Sequence, residues 1–390
     1  MNGVVILGNE TQGLGILRAL STQCVPCVVV DQDRWGVASA SRYCKRFVQS
    51  PPYKDHKIFR DFLINLSQSL PSSDWTLFPT DDEQVRVLSQ YKADLAPYYK
   101  IWLSDWKTIE IVYDKGKFDE FARALKLRVP QSRIFRSNEE LEDANIVFPI
   151  IIKPTIKETF FKKFRKKAIE VHSMDELRLK LSEITKIVAL DQLLIQEIIP
   201  GPSSCQYSYV VFFKNGLPLV DLTARRTRQH PMDYGRASTF VEIVNIPELR
   251  ETAVVLLKAL DYNGVCEVEF KQDPRDGSFK LLEINARFWG WHSLTQGTGK
   301  NWPYLLYCDI YNLPYSDSGK SEKQKKQWLR ITTDLPIAIN EIRHHRLSPK
   351  DFMKQYFSRQ TVHVTFSLND LLPFFWELIL IPYLWIKRGF

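Results

Sequence analysis

The stretch Leu282–Gly290, with the sequence LEINARFWG, follows a second acidic stretch, Val268–Phe270 (VEF), after a short turn-rich segment. Both stretches alternate apolar and polar residues, a pattern typical of β-strands with one buried face. Two strands joined by a turn lie side by side, so Glu269 is expected to converge with Glu283 and Asn285 on one face. Carboxylate and amide oxygens are hard ligands that suit Mg²⁺ held against phosphate oxygens.

Arg287 comes two residues after this acidic pair of strands ends. From that position it is expected to reach a negative charge that develops beside the metal. The plainer alternative is that the acids lie on a solvated face of the sheet. The apolar residues between them weaken that alternative, because they indicate that the opposite face is core.

Three upstream positions add to this pattern. Lys153 ends the apolar strand FPIIIKP, where burial without a partner is costly, so it is expected to meet an anion. Lys115 opens a helix, and a solvated surface lysine remains its alternative. Glu197 closes another strand. Its carboxylate could bind ribose hydroxyls, and the backbone of Glu197, Ile198 and Ile199 could hydrogen-bond an adenine edge.

The first third of the chain alternates strand and helix patterns, which predicts an open parallel sheet. Gly8, Gly13 and Gly15 follow the first strand without forming a GxGxxG motif, so a dinucleotide site is the weaker interpretation. Residues 205–244 instead predict long antiparallel strands with a hairpin at Lys214–Gly216.

In order and spacing these residues resemble the ATP-grasp superfamily over roughly positions 1–330. The resemblance is greatest to the carbamoyl-phosphate-synthase-like group, which includes biotin carboxylase, D-aspartate ligase and predicted carboligases. It implies an α/β (α+β ATP-grasp) fold in which an open parallel sheet precedes two α+β subdomains that sandwich ATP. The implied parts are a pre-ATP-grasp domain (1–107), a small lid subdomain (108–200), a large subdomain with the metal and acceptor site (201–330) and a C-terminal extension with an apolar tail (331–390).

The resemblance also implies roles for individual residues. Glu269, Glu283 and Asn285 match the magnesium ligands of the family, and Arg287 matches the arginine that stabilises the reacting anionic centre. Lys115 and Lys153 match the family lysines that contact ATP phosphates. Glu197, Ile198 and Ile199 match the adenosine-binding hinge. Arg225, Arg226 and Arg228 match a strand that faces the γ-phosphate or acceptor. Among these three arginines, Arg226 is the candidate catalytic residue.

The lid departs from the family pattern. Many relatives cover the triphosphate with a glycine-rich loop, whereas the matching stretch here, TIKETFFKKFRKKAIEV, has no glycine. Lysine side chains would then replace backbone N–H groups as phosphate ligands, with Lys163, Lys166 and Lys167 as candidates. A solvated basic lid is the alternative.

The implied reaction is that of an ADP-forming ligase. ATP with one or two Mg²⁺ ions (or Mn²⁺) activates a carboxylate as an acyl phosphate, which an amine or thiol then captures. Two alternatives stay open: an ATP-dependent carboxylase or a kinase on the same fold, and a membrane-associated nucleotide-binding protein with little turnover.

The charge of the chain discriminates little. Among 390 residues, 53 Lys and Arg outweigh 45 Asp and Glu, giving a net charge of +8, and binding a triphosphate also requires positive charge. Nucleic acid is not expected as a partner, because no zinc spacing, aromatic RNA motif or recognition helix is present. The expected partners are small-molecule carboxylates and amines, and a homodimer is left open.

The C-terminus has a different character from the rest. Leu371–Ile386 is almost entirely apolar and aromatic, and Lys387 and Arg388 follow it. The stretch is short for a membrane span, which takes about 20 residues. A packed helix and an interfacial anchor with a basic end are both compatible with it. No signal-peptide pattern opens the sequence, so the expected location is the cytoplasm, with peripheral contact to the inner face of the membrane left open.

Overall fold

Five short parallel strands form the first sheet, in the spatial order β3-β2-β1-β4-β5. The computed structural model describes residues 2–72, 74–156, 164, 168–230, 237–315 and 325–388, with side chains up to residue 384. The strands are β1 (Gly3–Leu7), β2 (Cys27–Asp31), β3 (Phe47–Gln49), β4 (Trp75–Pro79) and β5 (Tyr99–Lys100). The intervening helices are α1 (Thr11–Ser21), α2 (His56–Ser67), α3 (Asp82–Gln90) and α4 (Lys92–Leu95). The predicted open parallel sheet is confirmed.

Two helices, α5 (Trp106–Tyr113) and α6 (Lys115–Ala124), lead away from this sheet. The sequence pattern is helical over residues 106–125, and the structure divides this stretch into two helices at Asp114. The carboxylate of Asp114 accepts hydrogen bonds from the backbone N–H groups of Gly116 and Lys117, which caps α6. The break places Lys115 at the start of a new helix.

A four-stranded antiparallel sheet follows, in the order β6-β9-β7-β8. Its strands are β6 (Ser132–Ile134), β7 (Ile150–Pro154), β8 (Ile169–Val171) and β9 (Leu193–Glu197), accompanied by the helices α7 (Asn138–Glu142) and α8 (Met174–Ile184). Apolar residues of this sheet and of α8, such as Ile152 and Leu177, form a core of their own.

The largest sheet has seven strands in the order β14-β13-β10-β11-β12-β15-β16. They are β10 (Gln206–Lys214), β11 (Leu217–His230), β12 (Ala237–Val244), β13 (Gly264–Gln272), β14 (Phe279–Asn285), β15 (Gln327–Leu329) and β16 (Thr361–His363). Neighbouring strands are antiparallel, except that β15 and β16 are parallel. Across β13 and β14, Glu269 lies opposite Glu283 and Glu267 opposite Asn285.

Six helices complete the described part of the chain. They are α9 (Pro247–Ala259), α10 (Leu294–Gly297), α11 (Trp302–Ile310), α12 (Ile331–Arg343), α13 (Pro349–Tyr356) and α14 (Leu372–Arg388). The segment before α14 returns to the first sheet, where the guanidinium of Arg18 donates to the Asp370 carboxylate at 2.8 Å and to the backbone oxygens of Val364 and Thr365. None of the helices, over the residues described, combines the length and apolar character needed to cross a membrane.

Candidate functional site

A cavity of about 990 Å³ lies between the four-stranded and the seven-stranded sheets. Strands β7 and β9 line one side of it, and strands β11, β13 and β14 line the other. The first turn of α1 closes one end, through Glu10, Thr11 and Gln12. The described residues that are predicted to bind ATP or metal, together with the candidate catalytic residues Arg226 and Arg287, line this cavity.

The predicted metal ligands meet on the cavity wall. Asn285 donates from Nδ2 to Oε1 of Glu269 at 2.7 Å, and Glu283 lies across from Glu269 on the neighbouring strand. Lys115 reaches from the start of α6 and donates from Nζ to Oε2 of Glu283 at 2.6 Å. The structure therefore brings together residues up to 170 positions apart in the sequence. The strand pattern predicts the convergence of Glu269, Glu283 and Asn285.

Arg226 from β11 approaches the same acids. Its guanidinium contacts the carboxylate of Glu269 and donates to Oε1 of Glu267 at 3.0 Å. Glu267 is only 2% exposed, and it also accepts hydrogen bonds from Ser208 Oγ at 2.8 Å and Trp291 Nε1 at 3.0 Å. These contacts hold a second buried carboxylate beside the predicted ligands.

The charges on this wall are balanced only in part. Burial raises the pKa of Glu269 to about 7. The positive charge of Arg226 lowers this pKa, and the negative charges of Glu267 and Glu283 raise it further. A divalent cation would favour the charged form of these carboxylates, so the donor set fits Mg²⁺. Within the described residues, no cluster of three or more His, Cys, Asp or Glu side chains is arranged to hold a metal by itself.

Arg287 links this wall to the first sheet. Its Nε donates to Oδ1 of Asp82 at 2.7 Å, and its NH2 group donates to Oδ1 of Asn285 at 3.1 Å. Asp82 opens α3, whose N-terminus is held by a capping box at Asp81. The arginine is thus fixed from both sides while it lines the cavity.

Lys153 is the second lysine of the cavity. It extends from β7, and burial, together with the nearby charge of Lys115, lowers its pKa to about 8. Two ammonium groups that raise each other's energy are a favourable arrangement for an anion, which relieves the repulsion.

The predicted adenosine hinge follows β9. The Glu197 carboxylate accepts hydrogen bonds from the backbone N–H of Gln131 at 2.8 Å and from Arg275 NH2 at 2.9 Å. A ribose hydroxyl would therefore share this carboxylate with Arg275. Ile198 and Ile199 line the cavity next to it.

Comparison with known proteins finds similarity to one family over part of this chain. A family model for the "Carbamoyl-phosphate synthase L chain, ATP binding domain" matches residues 222–301. D-aspartate ligase from Enterococcus faecium is 26% identical over 302 residues, which cover 72% of this chain and 71% of that protein. These matches show that the chain is similar to ATP-grasp proteins.

Solved structures agree on the ATP-grasp fold. L-amino acid ligase from Bacillus licheniformis superposes with a TM-score of 0.61 at 14% identity, covering 84% of this chain and 78% of that one. The ADP complex of an N5-carboxyaminoimidazole ribonucleotide synthetase superposes with a TM-score of 0.63 at 15% identity, covering 88% and 84%. The predicted resemblance to ATP-grasp proteins and the predicted fold class are confirmed.

Two of the three β11 arginines do not line the large cavity. Arg228 is 3% exposed and forms a two-point pair with Asp334 on α12, at 2.9 and 2.8 Å. Arg225 donates to the backbone oxygen of Ser204. Strand β11 therefore faces the cavity through Arg226, because side chains alternate along a strand and an irregularity follows Arg226. That the strand faces a phosphate or an acceptor stays a prediction.

The two histidines near the site differ in environment. Burial lowers the pKa of His292 to about 4, and its Nε2 lies 2.9 Å from the backbone oxygen of Gln12. A carbonyl oxygen accepts, so Nε2 carries the proton, and the ring joins the segment before α10 to α1. This contact gives His292 a structural role. His230 lines the cavity.

Arg330 is a cavity residue that the sequence does not indicate. It stands between β15 and α12, is 6% exposed, and donates from Nε to Oε1 of Glu377 at 2.8 Å. Glu377, on α14, is fully buried and also accepts from Thr365 Oγ1. The apolar C-terminal helix therefore positions a cation in the central cavity.

Three lid lysines cannot be placed in this geometry. Lys163, Lys166 and Lys167 lie outside the described residues. Their assignment as phosphate ligands stays a prediction.

A second cavity of about 360 Å³ adjoins the first. It shares Lys115, Glu283 and Asn285 with the large cavity, and Tyr113 and Val85 line its far side between the first sheet and α5. The acidic turn at the start of α3 forms part of its wall. This cavity therefore lies between the start of α3 and strand β14 of the seven-stranded sheet.

Proposed function

We propose that this ATP-grasp protein is an ADP-forming ligase that activates a carboxylate with ATP and joins it to an amine (or a thiol). One observation carries the proposal: Lys115 and Arg226 neutralise Glu283 and Glu269 on a wall that Arg287 also lines. When these ion pairs open, the carboxylates become available to a metal ion and the cations to phosphates. The ligase names of D-aspartate ligase and L-amino acid ligase support the reaction class.

The large cavity suits the nucleotide. Lys115 and Lys153 would hold phosphates, and the backbone of Glu197, Ile198 and Ile199 would hold the adenine. Glu269, Glu283 and Asn285 would share one or two Mg²⁺ ions (or Mn²⁺) with the phosphates, and the metal supplies neutralisation of the charge that spreads during phosphoryl transfer. Lys167 would join them from the lid.

The small cavity suits the carboxylate or its acceptor. It opens onto Glu283 and Asn285, so a bound molecule would lie next to the metal and the phosphate end of the nucleotide. Arg287 and Arg226 are placed to stabilise a tetrahedral oxyanion formed when the amine attacks. A volume of about 360 Å³ matches a small molecule of amino-acid size.

The decisive measurement is ADP release with Mg-ATP over a panel of carboxylates, with hydroxylamine added to trap an acyl phosphate as a hydroxamate. We expect one class of carboxylate to stimulate release and to yield a hydroxamate. Glu283→Gln is expected to lower turnover by about a hundredfold or more, because it removes one charge from the metal site. Glu248→Gln, on the exposed face of α9, is the matched control and should retain turnover.

Other outcomes separate the alternatives. Product formed from bicarbonate alone would indicate a carboxylase, and a stable phosphorylated product would indicate a kinase. ATP binding without carboxylate-dependent ADP release, or full turnover by Glu283→Gln, would contradict the ligase assignment. Peripheral contact of the C-terminal tail with a membrane is likewise a proposal, independent of the chemistry.

A further inference from the structure

Exposed apolar side chains are concentrated in the C-terminal extension. Of the 21 large apolar side chains that are exposed in the described part of the chain, 11 lie between residues 331 and 384. They are Leu335, Ile339, Met353, Phe357, Phe366, Leu368, Leu371, Leu372, Phe375, Leu378 and Ile379. Isolated exposed apolar residues are ordinary, but a concentration of this kind marks a contact surface.

Aromatic contacts connect this surface across three elements. Ring centroids follow one another from Phe357, after α13, to Tyr356 at 4.8 Å and then to His363 on β16 at 5.2 Å. The chain of contacts continues to Phe366 at 6.4 Å and through Phe374 to Phe375 at the start of α14, each at 5.5 Å. The exposed phenylalanines therefore belong to one continuous patch.

Helix α14 has two different faces. Leu372, Phe375 and Ile379 follow a helical spacing and are 61%, 54% and 66% exposed. Its other face is docked, since Glu377 is fully buried against Arg330 and Leu380 is 5% exposed. The exposed stripe is therefore presented by a fixed helix.

The charges of the extension are sorted by sign. Four of its five acids between residues 331 and 384 are buried: Asp334, Glu341, Asp370 and Glu377. All five Lys and Arg residues of the same segment are exposed, namely Arg343, Arg346, Lys350, Lys354 and Arg359, of which Arg346 also pairs with Glu341. Several stand beside the apolar patch: Lys354 follows Met353, and Arg343 continues the spacing of Leu335 and Ile339 along α12.

We propose that residues 331–384 form a docking surface for an anionic lipid bilayer, with the apolar patch inserted at the interface and the cations at the headgroups. The positive charge of the exposed residues favours a bilayer over a second copy of this chain, and the apolar patch favours it over nucleic acid. A second copy would bring an equally basic rim against this one in a two-fold contact, where like charges repel. Nucleic acid would match the cations but leave the exposed Leu, Ile and Phe side chains without apolar contact.

The test uses the full-length protein and sedimentation with lipid vesicles. Vesicles of phosphatidylcholine with phosphatidylglycerol should retain it, vesicles of phosphatidylcholine alone should retain much less, and added salt should weaken retention. Leu372→Gln with Ile379→Gln should lower the partition coefficient by about tenfold or more, because both side chains leave the lipid. Lys350→Gln with Lys354→Gln should lower it by roughly tenfold on the anionic vesicles alone.

Leu217→Gln with Leu219→Gln is the matched control. These residues are 61% and 48% exposed on β11, outside the extension, and the variant should partition like the wild type. The proposal is overturned if the wild type does not bind anionic vesicles, or if the α14 variant binds as well as the control. It is also overturned if the α14 variant changes only the oligomeric state measured by light scattering, which would assign the patch to a second copy. Vesicle binding needs no turnover, so the result stands apart from the ligase assay.

Discussion

At the level of single residues, Lys153 provides a pH-dependent test of the nucleotide site. Burial, aided by Lys115, lowers the pKa of Lys153 to about 8 in the free protein, and a bound triphosphate would stabilise its protonated form. ATP affinity is therefore expected to fall as the pH rises through this value. Titration calorimetry should find a loss of about tenfold between about pH 7 and pH 9, with proton uptake on binding near pH 8.

Two substitutions make this prediction specific. Lys153→Arg keeps the charge at every pH used and should abolish the pH dependence while retaining binding. Lys153→Met should bind weakly at both ends of the range. An unchanged pH dependence in the arginine variant would assign the titration to another group.

The sequence indicates most of the catalytic wall but not all of it. Glu269, Glu283, Asn285 and Arg287 are recognisable because they alternate on adjacent strands, and adjacent strands place their side chains on a shared face. Glu267 alternates in the same way, two residues before Glu269, and this signal could have identified it. Its function is hidden in the sequence, because the partners that bury it come from Ser208, Arg226 and Trp291 on other elements.

At the level of elements, α14 illustrates why an apolar segment can be misread. Its sequence suggests either a packed helix or an anchor, and the structure has one buried face and one exposed apolar face. Glu377 determines which face of α14 is buried, because a fully buried carboxylate requires a buried cation, which Arg330 supplies. No sequence pattern predicts that pair, because its members lie 47 residues apart on separate elements.

Glu377→Ala tests the docking of α14. Removing this carboxylate leaves the guanidinium of Arg330 buried without its ion-pair partner, which is expected to lower the free energy of unfolding by about 3–5 kcal/mol. Asp351→Ala, which removes the exposed acid of the same extension and its hydrogen bond from Ser348 Oγ, is the control and should change it by less than about 1 kcal/mol. Urea denaturation measures both, and equal effects would mean that the buried pair does not hold the helix.

The break between α5 and α6 has a local cause. The predicted helix start at Lys115 is confirmed, and it arises because Asp114 caps the second helix and ends the first. Capping acts through one side chain and two backbone N–H groups, which a pattern of apolar residues does not register. The consequence is functional, because the break positions Lys115 to reach Glu283.

At the level of the whole molecule, sequence patterns predict the sheets better than their assembly. The βαβ alternation predicts the parallel sheet, and residues 205–244 predict the antiparallel one. The return of the C-terminal extension to the first sheet is absent from any local pattern, since Arg18 and Asp370 are 352 positions apart. The same is true of the cavity, which exists only once the sheets face each other.

The position of this cavity predicts how a nucleotide changes the molecule. Lys153 and the hinge after β9 belong to the four-stranded sheet, whereas Glu269, Glu283 and Asn285 belong to the seven-stranded one. A ligand held by both sets lowers the frequency with which the smaller sheet opens, because it binds only the closed arrangement. A non-hydrolysable ATP analogue with Mg²⁺ should therefore slow amide hydrogen exchange in β7 and β9 and leave α2 unchanged.

The size of this effect follows from mass action. At a ligand concentration of about 100 times the dissociation constant, opening of the bound sheet should become about 2.7 kcal/mol less favourable, which is roughly a hundredfold slower exchange. Omitting Mg²⁺ should reduce the protection, because the phosphates then face Glu269 and Glu283 without a cation between them. Protection that is equal in α2 and β9 would mean that the nucleotide stabilises the whole chain rather than the contact between the two sheets. No protection in β7 and β9, with binding demonstrated, would place the nucleotide outside this cavity.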